Sequence, residues 1–453
     1  MATGIRIVVY LLGEWEHFHR RPMLEALARS GLGCANLLCV SPPRSLRHLL
    51  RGSARTNRGV GQPFHQRIAP NIFLTRPYIW LPFVGRRGRR NRTWRSIVER
   101  QVRWALSLVG GADDPVVAWM YRPDQVYNLG MAGEEFVVYE CFDEYRLNYW
   151  DGIAIPEVAA MEAALLERVD LVFATARSLI EDRRREGLRI EYAPNGVDFQ
   201  NVARAADPNT SLPEEIRHVP RPRLGYVGRL SDALDLELLE GLSRTRPDWS
   251  FVFVGPIDGT TEEKLAPFRG RANLHVLGAK RRDDLVGYLR AFDVGLIPYK
   301  RNGFNKHRNP LKLWEYLAAG LPVVSTPLHE LEDMRDVVWI ADGIDEFRRA
   351  IGSAIAECSQ AGRQRRMAVA RDHSWDRLAG RMLQTLSSVL GEKRAGRNLC
   401  GEGRVGQVPP SHHGLARGGD RSIPSVPWPY DVEPAPYSPE PVRGTAGAGG
   451  INQ

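Results

Sequence analysis

Residues 307–326 read "HRNPLKLWEYLAAGLPVVST", a short helix with its start and stop signals written in and a strand directly behind it. Asn309 is suited to cap the first turn, and Pro310 to the first helical position, where no N–H is needed. Gly320 fits the left-handed residue that closes a helix, and Pro322 forbids continuation. "PVVST" then reads as a short buried strand. A helix that opens out of a loop presents unpaired N–H groups and a favourable dipole to an anion. Glu315 is the lone acid on this apolar helix. It belongs either to such a ligand site or to a solvated face, where an i,i+3 ion pair with Lys312 is the plain alternative.

The same grammar runs through the chain. In the first half the strand candidates are "IRIVVYLL" (5–12), "CANLLCV" (34–40), "VVAWMY" (116–121), "FVVYECF" (136–142), "LVFATA" (171–176) and "IEYAP" (190–194). In the second half they are "RLGYVG" (223–228), "SFVFVG" (250–255), "NLHVLG" (273–278), "VGLIPY" (294–299), "PVVST" (322–326) and "VVWIA" (337–341). Short β-branched runs alternating with helical patterns predict an α/β protein of two doubly wound parallel sheets. The expected division is a first domain over 1–198, a turn-rich linker over 199–215, a second domain over 216–372 and a closing helix over 373–392. Residues 393–453, rich in Gly, Pro, Ser and Arg, cannot bury a core and read as a disordered tail. Two such sheets leave a cleft between the C-terminal ends of their strands, where ligands bind.

Composition narrows the class. The chain has 453 residues, 43% of them hydrophobic and 25% charged, as expected of globular domains. No apolar run approaches the roughly 18 residues that span a bilayer. The opening "MATGIRIVVYLLGEWEHF" reads as a first strand rather than a signal peptide. Five cysteines without a C-x-x-C pair point to a reducing cytoplasm. The net charge of +9 is uneven: residues 1–110 hold 19 Arg and no Lys against four acidic residues, so the remainder is net acidic. Within residues 85–110 arginines alternate with Trp94, Ile97, Val98, Trp104, Leu106 and Leu108. That pattern suggests a basic amphipathic helix on an anionic membrane surface, with nucleic acid the less favoured partner and a plain solvated helix the bland one.

Several chemistries fall away. There is no G-x-x-x-x-G-K-[ST] phosphate cradle, and "GVG" (59–61) runs into Gln-Pro-Phe rather than a helix, so a dinucleotide fingerprint is unsupported. No D-x-D and no His/Cys cluster with ligand spacing is present, so no metal is required.

Five segments keep a consistent order: "YAPNGVD" (192–198), "GYVGRL" (225–230), "FVFVGP" (251–256), "DVGLIPY" (293–299) and "PLKLWEYLAAGLPVVST" (310–326). Together they resemble the GT-B retaining glycosyltransferases of family 4, also called group 1. "WEHFHRRP" (15–22) and "VVYECFDEY" (137–145) look closer to its teichuronic acid branch. The resemblance covers roughly residues 5–390. It implies a GT-B fold and transfer of a sugar from a nucleotide-diphosphate donor, held mainly by the second domain, to a glycan or lipid-linked acceptor. It also implies no cofactor beyond that co-substrate.

Carried over by position, Glu315 matches the second Glu of the family's E-x7-E element, which bonds the donor ribose. Arg229, with Gly228 before it, matches the Gly-Arg cation that neutralises the leaving diphosphate. Gly13, Asn309, Pro310, Leu311 and Lys312 complete the expected donor site. The chain departs from the pattern where His307 replaces the first Glu of the element. It departs again where Leu234 and Asp235 stand in place of a Lys that normally follows Gly-Arg-Leu; Lys312 is the candidate to restore that charge. Acid–base candidates are Asp143 and Glu144, after a first-domain strand, and Glu16, His19 and Arg20, after the first strand. Retaining GT-B enzymes as a class do without a protein nucleophile, so positioning and charge stabilisation carry the reaction. The expectation is a cytoplasmic enzyme, peripheral at the inner membrane face, of surface-polysaccharide biosynthesis. A nucleotide-sugar epimerase and a non-catalytic sugar-nucleotide-binding protein are the alternatives.

Overall fold

The computed structural model describes residues 4–30, 35–45, 63–79, 92–148, 152–265, 270–357 and 359–401. The first sheet has eight strands, in the spatial order Ile190–Tyr192, Leu171–Ala174, Phe136–Cys141, Val116–Met120, Ile5–Tyr10, Ala35–Val40, Ile72–Thr75, His65–Ala69. All neighbours are parallel except the edge pair His65–Ala69 and Ile72–Thr75. The second sheet has six strands, ordered Leu274–Val276, Ser250–Val254, Arg223–Val227, Val294–Ile297, Val323–Ser325, Val338–Ile340. Every pairing in it is parallel. Each sheet reverses its winding beside its first strand, which puts a crevice at the C-terminal end of that strand. With two such domains the architecture is that of a GT-B fold, as expected from the sequence.

Side-chain alternation explains why both faces of the first sheet are covered. Ile7, Val9 and Leu11 pack with Met23, Leu24 and Leu27, while Val8 and Tyr10 pack on the opposite side with Val98 and Val102. The first of these faces also receives Trp375, Leu378, Met382 and Leu386 from the last helix, so the end of the chain returns to the first domain.

All twelve strand candidates are present, and the differences lie between them. The edge hairpin 65–75 went unread. The segment expected as a linker instead holds the short helices Phe199–Val202 and Glu214–Arg217, and Val202, Ala205 and Ile216 are buried in the second core. The last helix runs Trp375–Gly401, past the expected end. There Lys393 pairs with Asp170 and Arg394 bonds Glu135, which holds the extension to the first domain. The remainder of the expected tail, 402–453, lies outside the described residues. So do residues 85–91 of the Arg-rich stretch.

The rest of that stretch is the helix Arg92–Ser107, and its apolar stripe is not available to a membrane. Trp94, Val98, Val102, Ala105 and Leu106 are buried in the domain, leaving Trp104 and Leu108 as the outward apolar side chains. Among the described residues no helix is long and apolar enough to cross a membrane.

The chain crosses between domains twice, and the crossings touch. Val197 N–H donates to the His373 carbonyl at 3.0 Å, and Trp375 N–H donates to the Val197 carbonyl at 3.0 Å. Gly196 permits this approach: a Cβ there would lie 2.6 Å from Leu378 Cδ1 and 2.8 Å from the His373 carbonyl oxygen. Gly196→Ala should therefore destabilise the protein by about 1–3 kcal/mol in urea denaturation. Gly352→Ala, in a helix where a Cβ meets no atom, should stabilise it by about 0.5–1 kcal/mol.

Candidate active site

The helix Leu311–Ala318 is built largely as its sequence suggests. Gly320 has φ +76, its N–H bonds the Leu317 carbonyl at 3.0 Å, and the Leu321 N–H bonds the Tyr316 carbonyl at 2.9 Å. That pair closes the helix with a Schellman motif. The start differs by one residue, because Pro310 is the cap and no side chain caps the first turn. Asn309 turns its amide oxygen to Trp314 Nε1 at 3.1 Å instead. The opening N–H groups thus stay without a protein side-chain acceptor, which favours an anion there. Along the helix only Leu311 and Glu315, one turn apart, escape burial. Glu315 is therefore the polar half of a single narrow outward stripe. Burial raises its carboxyl above the ordinary range, against the pull of Arg282 and Lys312. The i,i+3 pair with Lys312 is no contact salt bridge.

Lys312 points inward, beneath the loop that follows the first strand of the second sheet. A Cβ on Gly228 would lie 3.3 Å from Lys312 Cε and 3.4 Å from its Nζ. With φ +135 and no side chain, Gly228 leaves space beside the ammonium, while its own N–H is taken by the Val254 carbonyl at 2.9 Å. Lys312 Nζ donates to Tyr299 Oη at 2.5 Å and lies 4.6 Å from the centre of the Tyr226 ring. Burial alone would raise the Tyr299 hydroxyl, but Lys312 and Arg308 outweigh it and bring it to about 8. Arg229 is placed differently from the expectation: its guanidinium is half-exposed and donates to Asp258 at 2.5 Å. The cation held closest to Gly228 is Lys312.

From the first domain, Asp143 and His19 line the facing wall. Asp143 accepts the Glu144 N–H at 3.1 Å, and burial raises its carboxyl despite the Arg308 charge across the gap. His19 keeps exposed surface, and its ring meets the Phe142 edge at 4.6 Å between centroids. The protein packed around its ring and the Arg20 charge lower the imidazole below its ordinary value. Glu16 is exposed on the adjoining turn, and Gly13 borders open space.

Three candidates have structural work instead. Glu144 is fully buried, accepting from Arg146 at 2.8 and 2.6 Å and from Arg183 at 3.1 and 3.2 Å. Burial opposes its charge, but the Arg146 hydrogen bonds and Arg183 overcome it and hold the carboxyl down at about 2. A carboxylate so engaged is no proton acceptor for a substrate. Arg20 is buried too, bound to Glu140 and, at 2.5 Å, to Asn195 Oδ1. His307 turns to the first domain, with Nδ1 3.0 Å from Ser178 Oγ and Nε2 3.8 Å from Asp182. Glu144, Asp182 and His307 could each offer an atom to one metal ion. The two guanidiniums already on Glu144 make that a poor cation site.

Sequence reasoning missed Arg308, Tyr226, Tyr299 and Arg282. Arg308 is the most conspicuous, with its guanidinium 4.9 Å from the Tyr299 ring centre. It lies inside the 307–326 stretch, so its position was legible even though its contacts were not.

Residues 221–357 match the family model described as glycosyl transferases group 1. Over 232 residues the chain is 25% identical to the Bacillus subtilis (strain 168) protein named as the teichuronic acid biosynthesis glycosyltransferase TuaH. That match covers 49% of this chain and 55% of the relative, so about half of the relative's length is spanned. A sucrose-phosphate synthase from Thermosynechococcus elongatus superposes with TM-score 0.61 at 16% identity, over 86% of this chain and 100% of that one. The E. coli trehalose-6-phosphate structure bound with UDP-2-fluoro glucose gives 0.58 at 15%, over 84% and 98%. Anabaena HepE in complex with UDP gives 0.56 at 14%, over 85% and 100%.

Glu144 yields a prediction about pH. Its folded-state value lies below its ordinary 4.5, so its stabilisation is complete above that value and is lost as pH falls toward about 2. Glu144→Gln should cost about 3 kcal/mol at neutral pH. It should also flatten the fall of Tm between pH 5 and 2, as read by calorimetry.

Proposed function

On the premise that residues 221–357 are a group 1 glycosyltransferase domain in a GT-B frame, we propose that the chain transfers a sugar from a nucleotide-diphosphate donor to a glycan or lipid-linked acceptor. The observation that carries this reading is the buried Lys312 ammonium beneath the side-chain-free Gly228, on the helix Leu311–Ala318 whose start no side chain caps. Two negative phosphates fit a buried cation and a helix N-terminus, because both stabilise charge without reorganising. Glu315, on the outward stripe of the same helix, is assigned to the ribose hydroxyls. Arg229 joins the diphosphate by leaving Asp258.

In this reading the transfer retains the anomeric configuration and uses no protein nucleophile. The acceptor hydroxyl attacks the anomeric carbon as the bond to the leaving phosphate breaks, and the hydroxyl proton passes to that phosphate. Lys312 and the helix N-terminus stabilise the charge that develops. Asp143 and the neutral His19 orient the acceptor hydroxyl from the opposite wall. No metal enters this scheme, since Lys312 fills the electrostatic role. An acceptor belonging to a surface polysaccharide, met at the inner face of the membrane, suits the arginine surplus of the first domain.

Glu315→Ala should raise the donor dissociation constant at least tenfold, since a hydrogen bond to a charged group contributes roughly 1.5–3 kcal/mol. Lys312→Met should lower kcat more than it weakens donor binding, because charge grows on the phosphate in the transition state. Calorimetric titration of nucleotide sugars and acceptor-dependent release of nucleoside diphosphate check both. Unchanged donor binding in Glu315→Ala, or sugar-nucleotide turnover without acceptor, would refute the assignment.

A further inference from the structure

Beyond the loop that carries Gly13, two polar groups of the first domain are buried without a hydrogen-bond partner. Ser41 follows the strand Ala35–Val40, Arg76 follows Ile72–Thr75, and the pairing of Val40 with Thr75 sets the two side by side. They lie at the C-terminal edge of the sheet, where loops bind ligands. Ser41 is 1% exposed and Arg76 0%. Neither Ser41 Oγ nor Arg76 Nε makes a hydrogen bond. Arg76 has one long bond, from Nη1 to the Pro63 carbonyl at 3.4 Å, and Glu14 Oε2 stands 3.9 Å from its Nε. The other Glu14 oxygen accepts from Arg44 Nη2 at 2.6 Å.

This is a thin set of partners for a buried guanidinium, which normally gathers several charge-assisted bonds. Among the described residues one carboxylate pairs with two guanidiniums here, so one positive charge is left uncompensated. Glu14 has a side chain 40% exposed, so solvent is open to it when a ligand takes its place. Next to it, a Cβ on Gly13 would meet nothing within 4 Å, so the loop borders open space.

We propose that Arg76, Arg44 and Ser41 form a phosphate subsite of the acceptor domain, which Glu14 fills when no acceptor is bound. The proposal rests on the glycosyltransferase reading only for calling its ligand the acceptor. A phosphate monoester carries about −1.5 to −2 charge and three acceptor oxygens. It balances both guanidiniums and reaches the Ser41 hydroxyl and the idle Arg76 Nε together. A carboxylate would only repeat what Glu14 already does.

The test titrates inorganic phosphate into the full chain at constant ionic strength, with the donor cleft saturated by a nucleoside diphosphate. Wild type should bind phosphate saturably. Glu14→Gln, which removes the competing carboxylate, should bind it about tenfold more tightly, and Arg44→Gln at least tenfold more weakly. A purely structural Glu14 predicts the opposite, a loss of stability with no gain in affinity. Because Arg76 is buried and its replacement endangers the fold, the two partly exposed positions carry the test. Phosphate binding that Glu14→Gln does not tighten, or tighter binding of glucuronate than of phosphate, overturns the proposal. Competition by a short-chain prenyl phosphate or by a hexose phosphate supports it and tells a lipid carrier from a soluble one; competition by neither overturns it. Donor affinity, followed separately, stays intact if only this subsite fails.

Discussion

The geometry of the candidate site hangs on a buried positive charge, that of Arg20. Its guanidinium is balanced by Glu140, whose second oxygen takes the Trp119 indole N–H at 2.8 Å. From there the contacts leave the first domain. Arg20 holds Asn195 Oδ1, and Asn195 Nδ2 donates to the Asn309 carbonyl at 2.6 Å. Asn309 in turn holds Trp314, which stacks on His373 with ring centres 3.8 Å apart. A charge fixed in one domain thus fixes the entrance of the helix that bears Lys312 and Glu315 in the other. Arg20 Nε makes no hydrogen bond, but its two terminal nitrogens are both engaged, and breaking either bond would strand a further buried polar group.

Charge is handled in two ways in this molecule. Where the fold needs rigidity, opposite charges are buried in saturated clusters, as with Glu144, Arg146, Arg183 and Glu162. In the candidate site, charges are left incompletely paired: Lys312 against a tyrosine hydroxyl, Asp143 with its carboxyl raised, Glu315 on an outward stripe. Incomplete pairing within a low-dielectric gap is what a charged substrate can complete.

The strands were legible because each is a β-branched run bounded by Gly, Pro or polar turns, and parallel sheets bury such runs on both faces. The hairpin 65–75 was not, since "HQRIAPNIFLT" is half-exposed on one strand and its alternation is interrupted by Pro70 and Asn71. The segment 199–215 reads as a linker because polar and turn-forming residues are scattered through it, while Phe199, Val202, Ala205 and Leu212 pack it on the core. The placement of Glu315 and Lys312 could be read from helical spacing. The fate of Glu144 could not: Arg183 lies 39 positions away, and nothing local marks the two as partners. Arg20 is harder still, bound to residues 120 and 175 positions away, so a loop arginine that reads as catalytic turns out to brace the fold.

The paired crossings at Val197 and Ser374 carry a topological consequence. The chain departs the first domain and re-enters it at bonded neighbours, so residues 198–373 form an insertion whose two ends meet. An insert of that kind can be replaced without cutting the host sheet, provided the substitute has equally close termini and offers partners to Asn195, Arg177 and Tyr192. The two sheets can then diverge independently during evolution, each on its own side of the paired crossing.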